Sequence, residues 1–249
     1  MTPFNLTGKK VLIFGAGGGI GVAVTRGFAA AGAQLTLFDV QSLVALAKEV
    51  GGVVVGGDIN DPGQVTAAVE QSGQLDVVVN LAYASVLSPI VETTLRDFEM
   101  TMDTCLRGCF LISQSAGRAL IKQGTGGSVI HFTSIAGAVA LGRGTGAYAA
   151  AKAGINAIVR ETAVEWGAHK IRVNGIAPCQ TLTPALNRVL DDPRFGGREV
   201  LLANMKSKIP IGRLAQPEDM VGPSLFLASD AAAMVTGNIL YVDGGYTAQ

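Results

Sequence analysis

From end to end the chain alternates short β-forming runs with longer stretches of helical spacing or composition. The runs are Val11–Phe14, Gln34–Phe38, Val53–Val55, Val77–Val79, Val129–Phe132, Arg172–Ile176 and Ile239–Val242. Between them lie stretches such as Gly19–Ala31, Ala147–Trp166 and Pro217–Ala228. The runs are continuously apolar, the pattern of strands covered on both faces of a parallel sheet. Seven such strands in a chain of 249 residues predict one doubly wound α/β domain over positions 1–249, with helices on both faces. Hydrophobic residues make up 49% of the chain and charged ones 15%, enough apolar material for one large core.

One segment departs from the alternation. Thr183 to Lys208 carries Pro184, Pro193, a Gly196-Gly197 pair and mixed charges. It follows the carboxyl end of a strand, where loops of such sheets meet ligands, so positions 183–208 read as a substrate-binding lid. The alternative is an ordinary surface insertion.

Charge narrows the partners. Nineteen basic residues balance nineteen acidic ones, so no net field steers the chain to nucleic acid or membrane. Met1 to Lys10 lacks the apolar run and small-residue site of a secretory signal, and the uncharged stretch Val11–Thr25 is too short and too broken by glycine to span a bilayer. Three cysteines without a C-x-x-C spacing and two histidines predict no metal site, and a reducing cytoplasm is the expected location.

Directly after the first run comes Phe14-Gly15-Ala16-Gly17-Gly18-Gly19-Ile20-Gly21, opening a helical stretch. A pyrophosphate approaches free N–H groups at a helix N-terminus only if no side chain intervenes, and glycine provides that approach. The spacing is G-x-x-x-G-x-G, not G-x-G-x-x-G. Asp39 closes the second run. A carboxylate there accepts hydrogen bonds from adenosine ribose hydroxyls and repels a 2′-phosphate, and no Lys or Arg adjoins it; NAD is favoured over NADP. A turn-forming or capping role is the alternative for Asp39. Asp58 meets the adenine edge or caps the helix beginning near Pro62.

Tyr148 and Lys152 lie four apart in an alanine-rich helical run and share one helix face. An ammonium beside a phenol favours phenolate and moves tyrosine towards acid–base work. Ser134, on the loop after Val129–Phe132, can hold a substrate oxygen beside it.

These motifs together resemble the short-chain dehydrogenase/reductase family over nearly the whole chain. The glycine turn is similar to that family's T-G-x-x-x-G-I-G with Phe14 for threonine. Tyr148-x-x-x-Lys152 resembles its Y-x-x-x-K, and Ser134 in Thr133-Ser134-Ile135-Ala136-Gly137 its catalytic serine. Ile171–Pro178, Pro210–Arg213, Pro217–Asp219 and Val242–Gly245 resemble further family stretches. The resemblance implies a seven-stranded Rossmann sheet and a catalytic set of Ser134, Tyr148 and Lys152. It assigns cofactor contacts to Gly15, Gly19, Ile20, Asp39, Asp58, Ile59, Asn80, Ala82, Thr181 and Thr183, with Tyr148 and Lys152. Tyr148 is to exchange a proton with the substrate oxygen during hydride transfer, and Lys152 to lower the tyrosine pKa and hold the nicotinamide ribose.

Several positions depart from the family pattern. Cys105 stands before Leu106-x-Gly108-x-Phe110 where asparagine is usual, which predicts an altered proton relay. Tyr83 replaces the glycine of N-N-A-G; it narrows the cleft or its loop is displaced. Cys179 replaces the glycine after Pro178, as a reactive thiol or a buried inert one. The Ser134-to-Tyr148 interval is one residue longer than usual, and the loop Leu141–Gly146 that absorbs it carries Arg143, either solvated or facing an anionic substrate. His131 and His169 receive no catalytic role.

The expected activity is NAD-dependent interconversion of a secondary alcohol and a ketone, in the direction of oxidation, with a polyol, sugar acid or other hydroxy compound as substrate. Reduction of a 3-oxoacyl group is the rival substrate reading. An inactive NAD-binding regulatory protein is the rival of another class. No metal, nucleic acid or membrane partner is expected, and the resemblance implies a homotetramer.

Overall fold

Each of the seven apolar runs is a strand in the computed structural model, which describes residues 4–249; positions 1–3 of the expected domain and of the Met1–Lys10 opening lie outside them. The strands are β1 (Lys10–Phe14), β2 (Gln34–Asp39), β3 (Val53–Gly56), β4 (Val77–Asn80), β5 (Gly127–Phe132), β6 (Ile171–Pro178) and β7 (Ile239–Val242). They form one sheet in the order β3-β2-β1-β4-β5-β6-β7, every pair parallel. The order reverses between β1 and β4, and the carboxyl ends of those strands open the crevice in which such sheets bind ligands.

Alternate residues of each central strand serve two separate cores. Val11, Ile13, Val77, Val79, Ile130 and Phe132 face one side, where α1 (Gly19–Ala30) brings Val24 and Phe28 and α9 (Val221–Ala228) brings Leu227. Leu12, Phe14, Val78 and Val129 face the other, against Val65 and Val69 of α3 (Pro62–Gln71), Ile112 and Leu120 of α5 (Gly108–Gln123), and Ile155 and Val159 of α6 (Gly146–Trp166). Each buried side chain of this size contributes roughly 1.5–3 kcal/mol of transfer free energy. That is why the central strands carry no polar alternation.

The remaining helices are α2 (Val44–Val50), α4 (Leu95–Met102), α7 (Pro184–Leu190) and α8 (Arg198–Lys206). A π-helical turn over Asp103–Arg107 joins α4 to α5, so the long helical stretch is interrupted in its middle. The segment expected as a lid is not bare loop. Thr183 caps α7, accepting a hydrogen bond from the Leu186 N–H at 3.2 Å, and Pro184 occupies the first turn, where its missing N–H costs nothing. Leu190, Leu201 and Met205 bury the segment's apolar face against the first core. Its charges pair locally, Arg198 with Asp191 at 2.7 Å and Arg194 with Asp192 at 2.6 Å.

Candidate active site

The glycine turn lies over the carboxyl ends of β1 and β2 and is shaped by backbone crowding. Gly15 has φ +79°, and a Cβ there would lie 2.5 Å from the Ala82 nitrogen; on Gly21 it would lie 2.1 Å from the Gly15 oxygen. Among the described residues no side chain caps α1 behind Gly18, so the N–H groups of Gly19, Ile20 and Gly21 at its first turn are left for a ligand. A cradle that excludes Cβ atoms beneath an uncapped helix N-terminus fits a dinucleotide pyrophosphate.

Asp39 stands at the far side of this turn, 8% exposed. Its Oδ2 accepts from the Gly17 N–H at 2.9 Å and its Oδ1 from the Gln41 N–H at 3.0 Å, which fixes the carboxylate while leaving lone pairs for hydroxyl donors. Asn80 ends β4, its Oδ1 accepting from the Ala82 N–H at 3.1 Å. Thr183 and Pro184 lie directly over Gly19, so the start of the 183–208 segment rests on the glycine turn. The other assigned contacts are placed differently. Asp58 is exposed, and its Oδ1 accepts from the Asn60 N–H; Asp61, not Asp58, caps α3, accepting from Gly63 and Gln64. Ile59 is buried against Gly108 of α5, and the Thr181 hydroxyl donates to the Cys179 carbonyl.

Ser134, Tyr148 and Lys152 meet at the carboxyl edge of β5. Ser134 follows the strand and caps a single 3₁₀ turn, its Oγ accepting from the Ala136 N–H at 3.1 Å. Tyr148 and Lys152 rise from the first turns of α6, with Lys152 Nζ 5.5 Å from the Tyr148 ring centroid. The ammonium does not reach the phenol: it donates to the Phe132 carbonyl at 2.7 Å and is 3% exposed. Burial therefore raises the Tyr148 pKa above its ordinary value, opposed by a hydrogen bond from Ser134, and burial lowers that of Lys152. The direction for Tyr148 is opposite to that expected from the helical spacing, because desolvation of the phenolate outweighs an ammonium held elsewhere. The phenol keeps its proton at neutral pH.

Tyr83 is brought into the site. Its ring stands edge-on to Tyr148, centroids 6.2 Å apart at 67°, with about half its surface exposed. Cys105, in the π-helical turn, donates its thiol to the Ala84 carbonyl at 3.3 Å and ties that loop down. Cys179 is buried, and desolvation pushes its thiol pKa up, which disfavours the reactive thiolate. Arg143 is half-buried, and burial lowers its pKa. His169 is exposed on a surface turn.

His131 is fully buried beneath the site, in contacts that the sequence does not announce. The Ser113 hydroxyl donates to the Cys109 carbonyl at 2.8 Å, so its oxygen is free to accept from His131 Nε2 at 3.1 Å. Nδ1 then accepts, with Asn80 Nδ2 at 3.4 Å and Cys109 Sγ at 3.3 Å as donors. Desolvation brings the imidazole pKa down to about 4, and a second N–H would face only donors. A neutral His131 orients Asn80, and through it the Ala82 backbone against Gly15. Among the described residues no cluster of three or more His, Cys, Asp or Glu could hold a metal, and no helix is long and apolar enough to cross a membrane.

A parallel sheet with this crevice, a side-chain-free phosphate cradle and a tyrosine–lysine–serine cluster define a dinucleotide-dependent oxidoreductase. Comparison with known proteins gives the family. Residues 15–247 match the model described as Enoyl-(Acyl carrier protein) reductase. An uncharacterized oxidoreductase of Mycobacterium tuberculosis is 38% identical, with 98% of this chain and 93% of the relative covered. D-threitol dehydrogenase of Mycolicibacterium smegmatis is 36% identical over 98% of this chain and 95% of its own. The crystal structure of a gluconate 5-dehydrogenase from Burkholderia cenocepacia, in complex with NADP and tartrate, superposes with a TM-score of 0.89 at 30% identity, covering 99% of this chain and 98% of that one. The chain belongs to the short-chain dehydrogenase/reductase family and is an oxidoreductase served by a nicotinamide cofactor.

Proposed function

We propose that this chain is an NAD-dependent dehydrogenase that interconverts a secondary alcohol and a ketone, working in the direction of oxidation on a polyol or sugar acid. The observation that carries the reading is the convergence of Ser134, Tyr148 and Lys152 at the sheet's carboxyl edge, beside the glycine turn. When bound, the nicotinamide supplies the hydride acceptor or donor. Ser134 holds the substrate oxygen, Tyr148 takes the alcohol proton as phenolate in oxidation and returns it as phenol in ketone reduction, and Lys152 holds the nicotinamide ribose. Asp39 supports NAD, since its fixed carboxylate accepts from ribose hydroxyls and repels a 2′-phosphate.

The substrate class is supported by the relatives that act on D-threitol and gluconate, and by the half-buried Arg143, for which no ion pair is formed among the described residues. The segment 183–208 serves as the lid, with Thr183 at its hinge against Gly19. The working form is a homotetramer in the cytoplasm. The test is NADH formation against polyols, sugar acids, hydroxy acids and 3-oxoacyl thioester pairs, each with NAD and NADP. Turnover confined to 3-oxoacyl substrates, or to NADP, would contradict the proposal.

A further inference from the structure

A cavity of about 270 Å³ lies between α1 and α2 on the flank of Asp39, walled by Gly17, Gln41, Ser42, Leu43, Arg26 and Glu49 among others. Its position is defined by hydrogen bonds already described. The two backbone N–H groups that hold the Asp39 carboxylate belong to Gly17 and Gln41, and both residues line the cavity. A group attached to the ribose 2′-oxygen and driven off Asp39 by like charge therefore has this space beside it. At ~30 Å³ per water, the volume holds several waters and accommodates a phosphate.

Its wall carries one cation. Arg26 of α1 is bidentate on Glu49 of α2, Nε to Oε1 at 2.6 Å and Nη2 to Oε2 at 2.9 Å. Glu49 cancels the charge that a phosphate would need, so the cavity presents no net positive group. Both side chains are about half exposed, 56% and 48%, and a pair of that kind is held only weakly. The guanidinium fork that matches a carboxylate matches a phosphate equally well. The Ser42 hydroxyl, exposed on the same wall, is a second donor.

We propose that this cavity is a closed 2′-phosphate subsite and that the Arg26–Glu49 ion pair is a second selector against NADP, acting alongside Asp39. The proposal rests on the reading of Asp39 as the ribose acceptor. While Glu49 holds Arg26, a 2′-phosphate meets the Asp39 carboxylate with no compensating cation; with Arg26 released, the phosphate gains a bidentate partner. The Glu218 carboxylate also favours the charged Arg26 guanidinium, more weakly than Glu49 does.

The test is binding of NADH and NADPH to the full chain, followed by cofactor fluorescence and by calorimetry, in wild type, Glu49→Gln, Glu49→Gln with Glu218→Gln, and Arg26→Ala with Glu49→Gln. The expected result is tighter NADPH binding in Glu49→Gln by about fivefold, with NADH unchanged. The gain should grow in the double glutamine variant, shrink with added salt and vanish when Arg26 is removed. NADPH affinity unchanged in both glutamine variants, while NADH still binds, would overturn this proposal and leave the Asp39 reading standing. Wild-type preference for NADPH, or binding of neither dinucleotide, would overturn both.

Discussion

The buried His131 makes stability depend on pH in a window where few other groups titrate. The imidazole is neutral in the fold with its pKa lowered to about 4, while an unfolded histidine titrates near 6.5. A group depressed in the folded state contributes stability that is fully present above its unfolded value and is lost as pH falls towards its folded one. From pH 7 to pH 5 the unfolded chain takes up this proton and the native chain does not, which costs roughly 2 kcal/mol. Carboxylates held low by hydrogen bonds, such as Asp61 and Asp243, begin to titrate only below that window. Urea unfolding of wild type and His131→Gln at both pH values isolates the effect, because glutamine keeps hydrogen bonding without titrating. The wild type should lose about 2 kcal/mol more than the variant. Equal losses would refute the argument. Should the variant not fold, direct NMR titration of the wild-type imidazole replaces it, and a ring protonated at pH 5 would be the refuting result.

Three further outcomes follow from the site. Asp39→Ser should narrow the NAD-to-NADP ratio of kcat/KM by about 10- to 100-fold, the worth of one or two hydrogen bonds to a charged group, measured by initial rates with each cofactor. Tyr83→Ala removes the ring packed edge-on against Tyr148 and should shift kcat/KM towards bulkier alcohols, with a stability loss below about 1.5 kcal/mol because the ring is half exposed. Because the Tyr148 phenol is raised, alcohol oxidation should climb by about one log unit per pH unit above neutrality while ketone reduction stays flat, a contrast read from paired pH–rate profiles.

The architecture was legible because a strand buried on both faces must be apolar throughout, and Val77–Val79 or Ile13 has no other reading in this pattern. Strand ends were less so. β6 runs on to Pro178 because Ala177 and Pro178 still pair with β7, a fact of the partner strand and not of the local sequence. In the 183–208 segment, Pro184, Pro193 and the Gly196-Gly197 pair read as breakers. Yet Pro184 opens α7 behind its Thr183 cap, and the two glycines, at φ +79° and +98°, end one turn and begin α8. The D-P step that makes Asp61 the cap of α3 was present but lay behind the more prominent Asp58. Nothing local marks the π-helical turn at Asp103–Arg107. The spacing of Tyr148 and Lys152 gave their shared face but not the destination of the ammonium, because the Phe132 carbonyl arrives from another element. His131 is the same case: Ser113 and Cys109 come from α5 and Asn80 from β4.

The central claim is that Tyr148 transfers the proton in an NAD-linked alcohol oxidation, and it is tested most directly by comparing wild type with Tyr148→Phe. The measurements are turnover on the best alcohol of the panel and NADH affinity. Turnover should fall by about 10²- to 10⁴-fold while NADH binds with unchanged affinity. Turnover preserved in the phenylalanine variant would contradict the account.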